Sequence, residues 1–453
     1  MTTDNEIESE IHEFGKNIFN LISSDRPSVF QKAFWSAKLL EWSMTNPKFK
    51  VQLFRLVDVL PTLRSAKSVA EHIRLYLAEE GSKINKLIGA LLNLRSSSPL
   101  ALPASYITKQ SVEQMAADMI TGATPLDAIA PLTKLRQQKM AFTVDLLGEY
   151  SVSELEAVEY QDRYFEALRV MVRHFDDLNK SCPIITGHPG EVSPICISVK
   201  LSALYSQIST LNFARSVSVL SERLASIVEA AQQIDAQVYV DAEDSAFNPV
   251  IYETFKQVFG SEQFKDYPYP GMVVQAYAKN AEDLTMDLLK FANTRDTPIA
   301  IRLVKGAYWD AETIGAKANG WQSPLFANKE SSDANFEKLT RLLIDNHNLV
   351  LPAIASHNVR SLSHACIYAA HKGLTNSQFE LQMLYGMADP IAKAFTSLGY
   401  LVRLYSPIGL LIPGMGYLVR RLLENTSNES FLRHTFFDKD NIDQLLRKPL
   451  MRD

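Results

Sequence analysis

An α/β fold is predicted for this 453-residue chain, a (β/α)8 barrel preceded by an N-terminal helical domain, and three observations predict it. Eight short runs rich in β-branched and aromatic residues recur: AFTVD (141–145), PICISV (194–199), QVYVD (237–241), MVVQAY (272–277), PIAIRLV (298–304), VLPAIAS (350–356), QFELQM (378–383) and YLVRLY (400–405). Between them, segments such as 214–234, 281–293 and 335–346 repeat apolar residues at helical spacing, so strands alternate with helices as in a parallel sheet. Finally, Asp145, Lys200, Asp241, Gln275, Arg302 with Lys305, His357, Gln382 and Tyr405 fall at or just past the ends of those runs, where a barrel keeps its chemistry.

Taken in order, the chain opens with helices. From Phe30 to Glu80 apolar residues recur at helical spacing: Phe34, Leu39, Leu40 and Trp42, then Val51, Phe54, Leu56, Val57 and Leu60, then Val69, Ile73 and Leu77, with breaks at Pro47 and Pro61. The polar, proline-bearing stretch 96–103 reads as a linker, which closes an N-terminal helical domain at residues 1–100. Residues 101–140 hold a helix at 111–120, a turn at 122–125 and a further helix toward Met140, leading into a barrel over 141–430 and a tail over 431–453.

Composition narrows the class. Hydrophobic residues at 46% and charged residues at 21% describe an ordinary globular chain. With 46 Lys and Arg against 51 Asp and Glu the net charge is −5, and no nucleic-acid partner is expected. Cys182, Cys196 and Cys366 are far apart without a C-x-x-C pair, so neither a disulfide framework nor a zinc cluster is expected and the compartment reads as reducing. The acidic opening MTTDNEIESEIHEF lacks the basic and apolar regions of a signal peptide, and the apolar stretch 408–419 is broken by Pro413 and three glycines. The expected address is the cytoplasm, with any membrane contact peripheral, on the inner face.

Four constellations carry chemistry. In the segment 417–425, Tyr417, Arg420, Arg421 and Glu424 share one helical face opposite Leu418, Val419, Leu422 and Leu423, and paired guanidiniums beyond the eighth strand are suited to grip a carboxylate. RLVKGAYWD (302–310) places two cations and a glycine before aromatic residues, a pattern that suits an anionic, planar cofactor. His357 closes the sixth run with no second histidine at metal-binding spacing, and no metal site is predicted. Lys200, after the second run, suits either a Schiff base or a positive charge for an anionic substrate, and the residues alone leave both open. The Gly414 and Gly416 pair resembles a dinucleotide fingerprint by chance, since Val419 stands at the third glycine position.

In this order FWSAKLLEWSMTNPKFKVQLFRLVDVLPTLR (34–64), FTVDLLGE (142–149), ISVKLSAL (197–204), DAED (241–244), VVQAY (273–277), RLVKGAYWD, ASHN (355–358), LQMLYGM (381–387) and YLVRRLLEN (417–425) resemble the proline dehydrogenase domain of the proline utilization A family, related also to stand-alone proline dehydrogenases. The resemblance covers most of the chain. It implies a distorted, TIM-like (β/α)8 barrel that holds FAD and oxidises L-proline to Δ1-pyrroline-5-carboxylate by hydride transfer from C5 to flavin N5, with a membrane quinone as electron acceptor. By the same matching, Lys200, Asp241, Tyr405, Arg420 and Arg421 carry catalysis. The two arginines clamp the carboxylate with help from Lys200; Tyr405, Leu384, Tyr308 and Tyr417 belong to the substrate pocket, Asp241 supports Tyr405, and Glu149 pairs with Arg420 as a lid. Gln275, Arg302, Val304, Lys305, Gly306, Ala307, Tyr308, Trp309, Lys329, Ser356, His357, Asn358, Gln382, Leu384 and Glu424 match flavin-contacting positions. Arg302 also suits the physical requirement for a cation near a flavin that gains negative charge on reduction.

The chain departs from the family pattern in three places. Ser356 replaces a common Thr and keeps the hydroxyl; Ala327-Asn328-Lys329 replaces Thr-Arg-Lys, so contacts to the adenosine and phosphate end are expected to differ; and Pro413 disfavours helix just before the last helix. Neither the family's DNA-binding module nor its aldehyde dehydrogenase domain is recognised, so the expectation is the first oxidation alone, with a separate or fused pyrroline-5-carboxylate (glutamate semialdehyde) dehydrogenase for the second. The alternatives are a flavin-free barrel lyase using Lys200 or Lys305 and a non-catalytic scaffold.

Overall fold

The computed structural model describes residues 4–23, 118–148, 150–178, 186–187, 190–191, 193, 195–410 and 442–452, with scattered positions between 48 and 76. Most of the expected N-terminal helical domain, the linker at 96–103, the segment 411–441 and Cys182 lie outside the described residues.

Eight parallel strands form a closed barrel. They are β1 (Ala141–Leu146), β2 (Cys196–Val199), β3 (Gln237–Val240), β4 (Gly271–Gln275), β5 (Ile299–Val304), β6 (Val350–Ala355), β7 (Glu380–Leu384) and β8 (Val402–Ile408). The order around the barrel follows the chain, and β8 closes on β1 in a register running from Ala141 opposite Arg403 to Leu146 opposite Ile408. All eight expected runs are strands. β8 continues to Ile408, however, so Arg302, Gln382 and Tyr405 lie within their strands rather than at the ends, and Asp145 is one residue short of an end. These side chains therefore fill the barrel as well as line its mouth.

Alternation along each strand produces that split. Ile197 and Val199, Val238 and Val240, Met272 and Val274, Ile301 and Leu303, Leu381 and Met383, and Val402 and Leu404 belong to the core shared with the surrounding helices. Cys196, Tyr239, Ala300 and Leu351 form a separate small cluster, with Ala141 and Leu401 in another. Each buried aliphatic side chain contributes roughly 1.5–3 kcal/mol.

The helices that cover the barrel are α3 (Glu154–Leu178), α4 (Phe213–Gln232), α5 (Asn248–Phe259), α6 (Ala281–Ala292), α7 (Trp309–Ala318), α8 (Lys329–Asp345), α9 (Val359–His371) and α10 (Asp389–Ser397). α2 (Pro125–Gln137) starts from a Thr124 and Asp127 capping box with Pro125 in its first turn, so the turn expected at 122–125 is a helix entry. Residues 118–120 do not continue a helix; the rest of the helix expected at 111–120 lies outside the described residues. α8 begins earlier than its apolar period suggests, because Asn328 caps it by accepting the Ser331 N–H at 2.8 Å. An unanticipated two-strand ribbon pairs Thr186–Gly187 with Gly190–Glu191.

α1 (Asp4–Ser23) docks on the side of the barrel against α9 and α10, and α11 (Ile442–Leu445) packs beside it. Arg360 joins these pieces. It donates to Glu337 at 2.8 and 2.9 Å, to Glu8 at 3.0 Å and to the Leu446 carbonyl at 3.2 Å. Among the described residues no helix is long and apolar enough to cross a membrane.

Candidate active site

The C-terminal ends of the strands enclose a cavity of about 220 Å³ lined by Lys200, Asp241, Ala242, Val273, Gln275, Arg302, Val304, Lys305, Gly306, Ala307, Tyr308, Ala355, Ser356, His357, Gln382, Met383, Leu384 and Tyr405. Every strand from β4 to β8 supplies a residue at its end or interior, and Lys200 and Asp241 directly follow β2 and β3.

Asp241 is the hub. Its Oδ1 accepts from Ser198 Oγ at 2.6 Å and from Arg302 Nη1 at 2.9 Å, while its Oδ2 accepts from the Tyr405 hydroxyl at 2.7 Å and lies 3.4 Å from Lys200 Nζ. Lys200 also donates to Asp145 and, at 3.1 Å, to the Tyr405 oxygen. Two carboxylates thus face two cations, all four side chains at most about a tenth exposed.

Burial sets the electrostatics, and the partners decide the outcome. Burial raises Asp145 to about 6 against the opposing pull of Lys200. The same burial acts on Asp241, but Lys200 and Arg302 outweigh it and hold this carboxyl below its ordinary value. Burial works against the Lys200 ammonium, yet Asp145, Tyr405 and Asp241 keep it well above its ordinary value and therefore charged. Such a lysine is a fixed cation and a poor amine nucleophile, which disfavours a Schiff base. Burial also pushes the Tyr405 phenol well up, so it stays a hydrogen-bond donor to Asp241.

Arg302 is clamped in one plane. Its Nε donates to Gln382 Oε1 at 2.6 Å, its Nη1 to Asp241 and Ser198, and its guanidinium lies 4.1 Å above the Tyr239 ring centroid. Its buried Nη2 has no hydrogen-bond partner among the described residues. Gln275 is held between Asn248 Nδ2, at 3.0 Å, and the Glu243 carbonyl, at 3.2 Å.

A loop forms the rim after β5. Gly306 adopts φ +127°, and a Cβ there would come within 2.5 Å of the Tyr277 ring. Tyr277 in turn donates to Glu312 of α7 at 2.8 Å, so the first turn of α7 is tied to the floor of the loop. Lys305 pairs with Asp333 at 2.6 Å. Across the mouth, the Leu384 N–H donates to His357 Nε2 at 2.9 Å, which joins the ends of β6 and β7.

The structure thus brings Lys200, Asp241, Gln275, Arg302, Val304, Lys305, Gly306, Ala307, Tyr308, Ser356, His357, Gln382, Leu384 and Tyr405 together in one cavity. Trp309, Lys329 and Asn358 stand outside its lining: Trp309 opens α7 and donates to the Phe326 carbonyl at 3.1 Å, Lys329 opens α8, and Asn358 caps α9 by accepting the Ser361 N–H at 3.2 Å. Glu149, Tyr417, Arg420, Arg421 and Glu424 lie outside the described residues. Sequence reasoning marked Asp145 as a strand end but not as the partner of Lys200, and it missed Ser198 beside Asp241 and the Glu380 and Arg403 pair beneath Gln382. Period-two spacing could have found them, since Ser198 precedes Lys200, Glu380 precedes Gln382, and Arg403 precedes Tyr405 by two residues each.

A closed parallel barrel with a buried, charge-balanced cluster at its C-terminal mouth defines the class, a barrel enzyme. Comparison with known proteins makes the class specific. Residues 128–434 match the family model described as proline dehydrogenase, and residues 8–118 match the proline utilization A N-terminal domain. The chain belongs to the proline dehydrogenase family. It is 29% identical over 396 residues to the bifunctional protein PutA of Escherichia coli K12, covering 86% of this chain and 28% of that protein. It is 26% identical over 313 residues to proline dehydrogenase 1 of Bacillus subtilis, covering 69% of this chain and 87% of that protein. Among solved structures, proline utilization A from Bdellovibrio bacteriovorus, inactivated by N-propargylglycine, superposes with a TM-score of 0.88 at 39% identity, over 98% of this chain and 44% of that one. The chain therefore spans less than half the length of the proline utilization A relatives it matches.

Proposed function

We propose that this chain oxidises L-proline to Δ1-pyrroline-5-carboxylate with a bound FAD, the first step in converting proline to glutamate. One observation carries the reading: the buried Arg302 Nη2 has no acceptor among the described residues, beside a cavity whose other cations, Lys200 and Lys305, already have carboxylate partners. A buried donor that the described residues leave open is suited to a ligand acceptor. The donor set fits a flavin, because a fixed guanidinium favours a ring that gains negative charge, and the Gly306 loop lets backbone approach it without a side chain. Gln275, Arg302, Lys305, Gly306, His357 and Gln382 would hold it. When bound, FAD supplies the two-electron sink for the C5–H bond of proline.

The protein's own groups do the positioning. Two carboxylates and two cations balance around Asp241, so the cluster alone offers no net attraction to the substrate carboxylate. Arg420 and Arg421, matched by family resemblance, supply that attraction, with Lys200 as a further charged donor. Tyr405, fixed by Asp241, and Leu384 enclose the ring and hold its C5 carbon for near-contact transfer. The proline nitrogen loses its proton to solvent or base, so the carbon–nitrogen double bond forms as the C5–H electrons leave. Electrons pass on to a membrane quinone, reached from the cytoplasmic side by peripheral contact, and the product passes to a pyrroline-5-carboxylate dehydrogenase, separate or fused.

Anaerobic titration tests this directly. The purified chain is expected to show flavin absorbance that bleaches as L-proline is added. A flavin that ignores proline, or a colourless protein that reconstitution with FAD leaves colourless, contradicts the proposal.

A further inference from the structure

Beneath the cavity lies a buried ion pair that the reaction scheme does not use. Arg403 of β8 donates through Nε to both carboxylate oxygens of Glu380 of β7, at 3.2 and 3.0 Å, and through Nη1 to the Phe142 carbonyl at 3.0 Å. Glu380 is fully buried and also accepts from Gln382 Nε2 and, at 3.3 Å, from the Tyr239 hydroxyl. It therefore faces three donors as an acceptor-only group.

The consequence lies one layer higher. An amide beside an ionised carboxylate must turn its NH2 toward it, which leaves Gln382 Oε1 facing Arg302 Nε, at 2.6 Å. With Asp241 and Ser198 taking Nη1, the guanidinium has one orientation, and Nη2 is the nitrogen left over. The other amide orientation would set Gln382 NH2 against Arg302 Nε, donor against donor. We infer that Glu380 is a positioning residue: it sets the amide of Gln382 and thereby the plane in which Arg302 offers Nη2 to the flavin. The inference rests on the flavin reading above. Arg403 supplies the counter-charge to Glu380 in the barrel interior, its Nε 3.0 Å from Glu380 Oε2.

The test replaces the pair by apolar side chains of similar bulk, Glu380→Leu with Arg403→Met, an exchange that buried ion pairs commonly tolerate. In the holoenzyme the two-electron reduction of the flavin is expected to become about tenfold less favourable, a potential about 30 mV more negative. The kcat for proline should fall about tenfold while KM stays within about twofold. Adding Gln382→Met should produce little further shift, since both changes act through one amide. Glu380→Gln, which keeps the volume but turns an NH2 toward one of the three donors, provides the second reading should the double variant melt prematurely; its flavin potential should move in the same direction. An unshifted potential in either folded variant, or full additivity with Gln382→Met, overturns the inference. The wild-type control separates the two levels: if its flavin bleaches with proline and the variants match it, the positioning role alone fails, whereas a wild-type protein without flavin fails the functional reading as well.

Discussion

Asp241 sits where the loss of one carboxylate is felt by four neighbours. Removing its carboxylate in Asp241→Ala strands Lys200 and Arg302 with less buried counter-charge, and breaking a buried pair in this way costs about 3–5 kcal/mol. A depressed melting temperature is expected together with loss of turnover; an unchanged melt contradicts the hub. Tyr405→Phe is a gentler probe, since it deletes the 2.7 Å donor to Asp241 and the acceptor for Lys200 but keeps the ring. Hydrogen bonds to charged groups are worth about 1.5–3 kcal/mol, so kcat/KM for proline should fall roughly 10- to 100-fold with the fold intact, which steady-state kinetics would show. Sequence alone pointed to both residues by resemblance. It did not show that Asp145, 55 positions from Lys200, shares its ammonium, because that contact depends on how β1 and β2 pair side by side rather than on local pattern.

Elements transmit these constraints from further away. The rim loop depends on Gly306, whose positive φ and contact with Tyr277 leave no room for a side chain, and Gly306→Ala is expected to reduce the flavin retained per chain. Measuring the ratio of flavin to protein absorbance after gel filtration decides it, and full retention would show that the loop tolerates a shift. On the outside, α9 carries His364, which is buried; burial first, then Arg341 and Arg360, lower it to about 3, and its Nε2 accepts from Arg341 Nε at 3.0 Å. The sign follows from proton counting. Between about pH 6.5 and 3 the unfolded chain binds a proton at this site that the folded chain refuses, so stability present above 6.5 is lost as pH falls, by up to about 1.4 kcal/mol per pH unit. Urea melts across that range should show His364→Gln losing less stability toward acid than the parent; parallel curves would contradict the assignment. Helix positions were legible where the apolar period runs the length of the helix, as in α6, and misplaced where a cap lay outside the apolar period, as at Asn328 before α8.

For the whole molecule, the barrel was readable because each strand is a short β-branched run bounded by turn residues, and alternation put one apolar face toward the helices. The polar interior was only half readable. Gln382 and Tyr405 were noticed as strand ends, while Glu380 and Arg403 on the same inward faces were passed over, since a charge in a central strand has no meaning until its partner across the sheet is known. The docking of α1 through Glu8 and Arg360, 352 positions apart in sequence, was invisible for the same reason. What joins these scales is the claim that the barrel mouth orients one unpartnered guanidinium nitrogen toward a flavin and holds proline against it. A crystal structure of the chain with FAD and a non-oxidisable proline analogue measures this most directly. The expected result is an isoalloxazine ring within hydrogen-bonding distance of Arg302 Nη2, with the analogue between it and the Tyr405 and Lys200 side chains; a ring bound away from Arg302, or an analogue on the far side of the barrel, would contradict it.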